Sequence, residues 1–150
     1  MKLGYSEILK LVSEQKTEAQ KIELLRKHGS EGLCQLVNLA FDKNAQWDLP
    51  DGDPPYKPNP YPDQQNRLQA EQRRMYLFFK GGNNNLSKLR RETLFIEFLE
   101  SIDPEDAKLI LSIKANKLPY KGLPKSLFEK AWPGRIIKTE EKNDNKEKIV

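Results

Sequence analysis

His28 and Cys34 are the one histidine and the one cysteine of the 150-residue chain, and they are the pair that could supply a thiolate with an imidazole base. Their spacing does not bring them together. His28 precedes Gly29 at an expected helix end, where an imidazolium would meet the negative end of the helix dipole, and Cys34 falls among apolar residues as core lining. A lone cysteine leaves no intrachain disulfide and no thiolate metal cluster. Asp48, Asp51 and Asp53 lack the regular ligand spacing, the sixth-position glycine and the closing Glu of a calcium loop. Gly81-Gly82 is not followed by the Lys-Ser/Thr pair of a phosphate-cradling nucleotide loop. The sequence therefore predicts a protein that is not an enzyme and holds neither metal nor cofactor.

What remains is cationic chemistry. Residues 67–91 carry seven bases against Glu71, and 108–138 carry eight against Glu129, while 97–106 hold five acids and no base. Such segregation suits a face turned toward a polyanion. Lys114 and Lys117 are expected on one helix face, with Lys121 in the following turn and Lys125 at the next helix start, where backbone N–H groups can also meet a phosphate. Contacts of this kind read the backbone of duplex DNA without reading its sequence. Arg90 and Arg91 form a second pair in the preceding basic segment.

The elements that must position these residues are helical. Ser6 is a plausible cap for a helix carrying Ile8, Leu11 and Val12; Thr17 caps a second that stops at Gly29; Ser30 opens a third whose stripe is Leu33, Leu36, Val37, Ala40 and Phe41. Six prolines between Pro50 and Pro62 make 42–63 a loop, with Trp47, Tyr56 and Tyr61 available to pin it. A central helix is predicted from Gln64 to Phe79, then a Gly81–Asn85 turn and a Ser87-capped helix that buries Phe95, Phe98, Leu99 and Ile102. Asp103-Pro104-Glu105-Asp106 is a helix start, with a run expected to about Lys117 that buries Ala107, Ile110 and Leu111. A last helix spans Pro124–Trp132. Trp132, like Phe95, Phe98, Leu99 and Ile110, is read as core.

The resulting expectation is one all-α domain over 1–137, a compact multi-helix array, followed by a disordered charged tail over 138–150. No apolar run approaches the ~18 residues of a membrane span. Charges throughout residues 1–15 argue against a secretory signal, so a cytoplasmic location is expected.

The stretch from Arg91 to Leu111, in which one helix ends and an Asp-Pro-Glu-Asp-Ala cap starts the next, resembles the N-terminal helical DNA-binding domain of phage-type ATP-dependent DNA ligases. Gly122 stands where that family's turn glycine would be, and Ala131-Trp132-Pro133-Gly134-Arg135-Ile136 looks like the close of its domain. Ile8–Val12 and Lys16–Leu25 resemble its opening, so the likeness spans most of 1–137. The chain is also similar to small proteins of tailed phages. The ligase nucleotidyl-transfer signature, Lys-x-Asp-Gly, is missing, because Asp51-Gly52 has Leu49 where the lysine would be. The resemblance thus implies a free-standing, non-catalytic module that grips duplex DNA, with Gly122 in the contacting turn, in the host cell cytoplasm if phage-encoded. It also leaves open an accessory protein that docks on a replication or transcription component, such as a sliding clamp or polymerase, through the aromatic loop or the tail ending Ile149-Val150.

Overall fold

In the computed structural model the described residues are 4–42, 46–50, 52, 54–61, 67–81 and 85–136. The first helix, α1 (Tyr5–Ser13), begins two residues earlier than a Ser6 cap would place it, with Gly4 as its N-cap. Ser6 lies buried inside the first turn and gives its backbone N–H to Asp106 Oδ1 at 3.0 Å. A carboxylate from a distant helix therefore does the work expected of a local hydroxyl. Helix α2 (Glu18–His28) starts with a reciprocal cap: Thr17 Oγ1 accepts from Gln20 N at 3.2 Å, and Gln20 Oε1 accepts from Thr17 N at 3.3 Å. Helix α3 (Glu31–Phe41) is capped by Ser30, whose Oγ accepts from Leu33 N at 3.2 Å.

Gly29, between α2 and α3, has extended rather than left-handed dihedrals. Its missing side chain makes room. A Cβ there would lie 2.6 Å from Trp132 Nε1, the atom that donates to the Leu25 carbonyl at 3.1 Å. Glycine at this position thus lets the last helix close against α2, which the pattern of a helix stop alone does not reveal.

The central helix is shorter than expected and changes type. Helix α4 (Arg67–Glu71) passes into a 3₁₀ segment over Gln72–Phe78, which puts Met75 and Phe78 in the core three residues apart. Phe79 is extended because it pairs with Trp47: Asp48 N donates to Phe78 O at 2.7 Å and Lys80 N to Gln46 O at 3.0 Å. The two rings lie 4.4 Å apart, and Trp47 also meets Phe95 at 6.3 Å. Trp47 and the half-buried Tyr56 thus hold the Pro-rich loop to the core. Tyr61, 70% exposed, does not. Asn59 takes its place, buried and donating to the Ser101 carbonyl at 3.1 Å.

Helices α5 (Lys88–Ser101), α6 (Pro104–Lys114) and α7 (Lys125–Ala131) follow in the expected order. Ser87 caps α5 through Arg90 N at 3.1 Å, and Asp103 caps α6 through Glu105 N at 3.0 Å. α6 ends at Lys114 rather than Lys117, because Asn116 adopts a left-handed φ of 62°. Asn116 N then donates to Ile113 O at 2.9 Å and Lys117 N to Ser112 O at 3.0 Å, which satisfies the carbonyls of the last turn. Leu111 is half-buried, whereas Ala107 and Ile110 are fully buried.

α2 packs between α1 and α7, α3 packs on α6, and α6 also touches α1 and α5. One core receives Leu9, Leu25, Leu36, Phe78, Phe95, Leu99, Ile110 and Phe128, all without exposure beyond 2%. Phe98 joins it, while Trp132 is half-buried and packs at a tilt against Phe128 with centroids 5.6 Å apart. Among the described residues there is no strand beyond the single Trp47–Phe79 bridge, and the chain is all-α. The expected tail over 138–150 lies outside the described residues.

Candidate nucleic-acid interface

The predicted cations divide between surface and interior. Arg90 is exposed in the first turn of α5, its backbone N–H committed to the Ser87 cap. Arg91, one residue on, faces inward and is 6% exposed. Its guanidinium reaches Asp48 Oδ2 at 3.1 Å, the Leu77 carbonyl at 3.0 Å and the Leu86 carbonyl at 3.2 Å. These acceptors occupy the planar fork, so Arg91 fastens loop, 3₁₀ segment and α5 together and is no part of an outer phosphate-contacting face. Its place was legible: Arg91 precedes Phe95 and Phe98 at i+4 and i+7, on the same buried stripe.

Lys114 and Lys117 do not share a helix face, since the helix has ended before Lys117. Lys114 is half-buried, and its Nζ donates to the Pro50 carbonyl at 2.7 Å and to Gly52 O at 3.4 Å, holding the Pro-rich loop against α6. Lys117 is exposed. The turn that follows carries Lys121, also exposed, and Gly122 with a φ of 75°. Left-handed backbone at Gly122 is what allows the chain to reverse between α6 and α7.

The Gly122 carbonyl accepts from Lys21 Nζ of α2 at 2.9 Å. Lys21 therefore joins Lys121 and Lys125 at this turn, although it lies far away in sequence and no local spacing marks it. Lys125 is half-buried at the first position of α7. The structure thus gathers Lys21, Lys121, Gly122 and Lys125 at one turn, keeps Lys117 at its approach, and sets Lys114, Arg90 and Arg91 apart.

Tyr120, next to the basic turn in sequence, has acidic neighbours. Tyr120 is half-buried and its phenol is pushed up to about 12, first by burial and then by the charges of Glu105 and Asp106. Asp106 is buried on the same side, and desolvation raises its carboxyl to about 6 against the lowering effect of the Ser6 bonds. Elsewhere, burial pushes the Cys34 thiol up, which keeps it protonated at neutral pH and a poor nucleophile. Among the described residues no three His, Cys, Asp or Glu side chains converge on a possible metal position. No helix among them is long and apolar enough to cross a membrane.

No curated protein and no solved structure matches the chain. A sequence profile does match residues 8–120, from α1 to the start of the basic turn, and by it the chain belongs to a family of unknown function, DUF6433.

Proposed function

We propose that the protein is a non-catalytic module that binds duplex DNA through its phosphate backbone, without sequence preference, in the manner of the ligase N-terminal domain it resembles. The observation that supports this reading is the turn between α6 and α7. Exposed Lys117 and Lys121, neither with an acidic partner among the described residues, approach and precede the left-handed Gly122, with Lys21 and Lys125 beside it. Ammonium groups around an exposed backbone reversal suit a phosphate ridge, and each contact releases condensed counterions.

A fluorescence-anisotropy titration with two unrelated duplexes at several salt concentrations tests it. Wild type should bind both alike, with log affinity falling linearly against log salt. The Lys117→Ala/Lys121→Ala/Lys125→Ala variant should lose about one unit of slope per phosphate contact removed. A folded triple variant with wild-type affinity and slope would overturn the proposal, as would absence of wild-type binding at low salt.

One feature favours a second reading, an accessory protein docking on a replication or transcription component. A cleft of about 240 Å³ between the Pro-rich loop and α5 is lined mostly by apolar residues, Leu49, Pro50, Pro54, Pro55, Phe95 and Ile96, together with Glu92 and Lys114, and is more apolar than a phosphate-binding surface needs.

A further inference from the structure

On the outer side of α6, between the helix and the Pro-rich loop, lies an open cleft of about 460 Å³ lined by Tyr56, Lys108, Leu111, Ser112, Ala115 and Lys117. That size lies in the range of small-ligand sites. Its lining divides by chemistry: Leu111 and Ala115 are apolar, Tyr56 supplies an aromatic ring, Ser112 a hydroxyl, and Lys108 and Lys117 two ammonium groups. Tyr56 is half-buried against the core, so its ring is held in place. Lys108 pairs with Glu105 at 3.3 Å, but both side chains are more than half exposed, and such a pair is weak enough to give way to a phosphate. Lys117 has no acidic partner among the described residues.

A simple anion would engage the lysines and leave the aromatic and apolar surface unused. A purely apolar ligand would bring no charge to meet the two ammonium groups. A nucleotide satisfies both, because it joins a flat base to a phosphate. In a duplex the bases are stacked inside, so a base can reach Tyr56 only when it is unpaired.

We propose that this cleft takes one unpaired nucleotide of a single strand of DNA, its base against Tyr56 and its flanking phosphates on Lys108 and Lys117. The proposal deepens the backbone reading above, with which it shares Lys117, by adding a place for a strand end or an unpaired stretch beside the duplex-binding turn.

The test compares labelled oligo-dT with a blunt duplex, using the full chain. Wild type should bind oligo-dT. Tyr56→Leu should weaken that binding about tenfold and leave blunt-duplex affinity unchanged, while Tyr56→Phe, which keeps the ring, should stay within about twofold of wild type. Lys108→Gln, at an exposed position, should lower the oligo-dT salt slope by about 0.7, the single-strand value for one phosphate, and leave the duplex slope alone. It keeps the test decisive should Tyr56→Leu melt early. Unchanged oligo-dT binding in both Tyr56→Leu and Lys108→Gln overturns the proposal, and so does an equal loss for both DNAs in folded variants. Wild type binding duplex but not oligo-dT overturns the cleft alone; binding oligo-dT but not duplex supports the cleft and overturns the backbone reading.

Discussion

Asp106 has no exposed surface, and one of its oxygens accepts from Ser6 N while Oδ2 has no partner among the described residues. Burial outweighs the hydrogen bonds to Ser6, with Asp103 and Glu7 adding repulsion, and the carboxyl titrates near 6 in the folded chain. Unfolded, it titrates at about 3.9. The folded state therefore holds the proton more tightly, so this stabilising contribution is complete below pH ~4 and is lost as pH rises through about 6. Two pH units correspond to about 3 kcal/mol. Asp106→Asn keeps an oxygen for Ser6 N and removes the titration, so wild type should lose up to that amount relative to the variant between pH 4 and 7. Urea melts at both pH values check this; parallel profiles would refute it. Arg91 makes the opposite case, a buried charge with every acceptor in place. Arg91→Met should cost about 3–5 kcal/mol by stranding Asp48 and two carbonyls, and Arg91→Lys should rescue little because an ammonium cannot fork among three acceptors. Thermal melts of the two variants decide it. The stripe with Phe95 and Phe98 marks Arg91 as inward, against its reading from charge as a phosphate contact. The acceptors were not legible, since they come from the loop, the 3₁₀ segment and the turn before α5.

At the scale of elements, what was legible was local. Thr17, Ser30, Ser87 and Asp103 cap the helices they precede, because a cap needs only a side chain and a backbone N–H two or three residues on. What failed depended on distant partners. The central helix gives way to 3₁₀ geometry because Phe79 is drawn to Trp47, and the cap expected of Ser6 passes to Asp106. α6 stops early at a left-handed Asn116, whose side chain donates to the Asp42 carbonyl at 3.1 Å. The basic turn divides in the same way: Lys121 and Lys125 follow from the sequence order, and Lys21 comes only with the packing of α2 on α7. That packing gives a prediction at Gly29. A methyl group there meets the Trp132 indole and the Leu25 carbonyl at 2.6 and 2.7 Å, so Gly29→Ala must push α7 from α2 or break the indole hydrogen bond. The expected cost is about 1–3 kcal/mol, the usual range for overpacking, read as a lower melting temperature with quenching or shift of Trp132 fluorescence. An unchanged melt and spectrum would show that the close approach is not maintained in solution.

For the molecule as a whole, α1 through α7 feed one core, so a ligand that binds the native state stabilises all seven helices together. Phe98 packs edge-on to Phe78 at 5.4 Å inside that core, and Phe98→Ala should remove about 3–5 kcal/mol from the whole transition. The charge segregation read from the sequence meets this architecture at the α6–α7 turn, where the outer surface is lysine-rich and the carboxylate of Asp106 is withdrawn inside. If that turn binds duplex DNA, adding duplex at one hundred times its dissociation constant should stabilise the native state by about 2.7 kcal/mol. For a chain of 150 residues this corresponds to roughly 5–11 °C of melting temperature. High salt should erase the shift, because the gain comes from counterion release, while leaving the ligand-free melt nearly unchanged. ATP with magnesium makes the matching control: with Leu49 in the place of the ligase lysine, no covalent AMP should form, and the mass of the protein should not change. A duplex shift that survives high salt would assign the binding energy to apolar or base contacts instead of phosphates, and an AMP adduct would show a nucleophile that neither the sequence nor the fold points to.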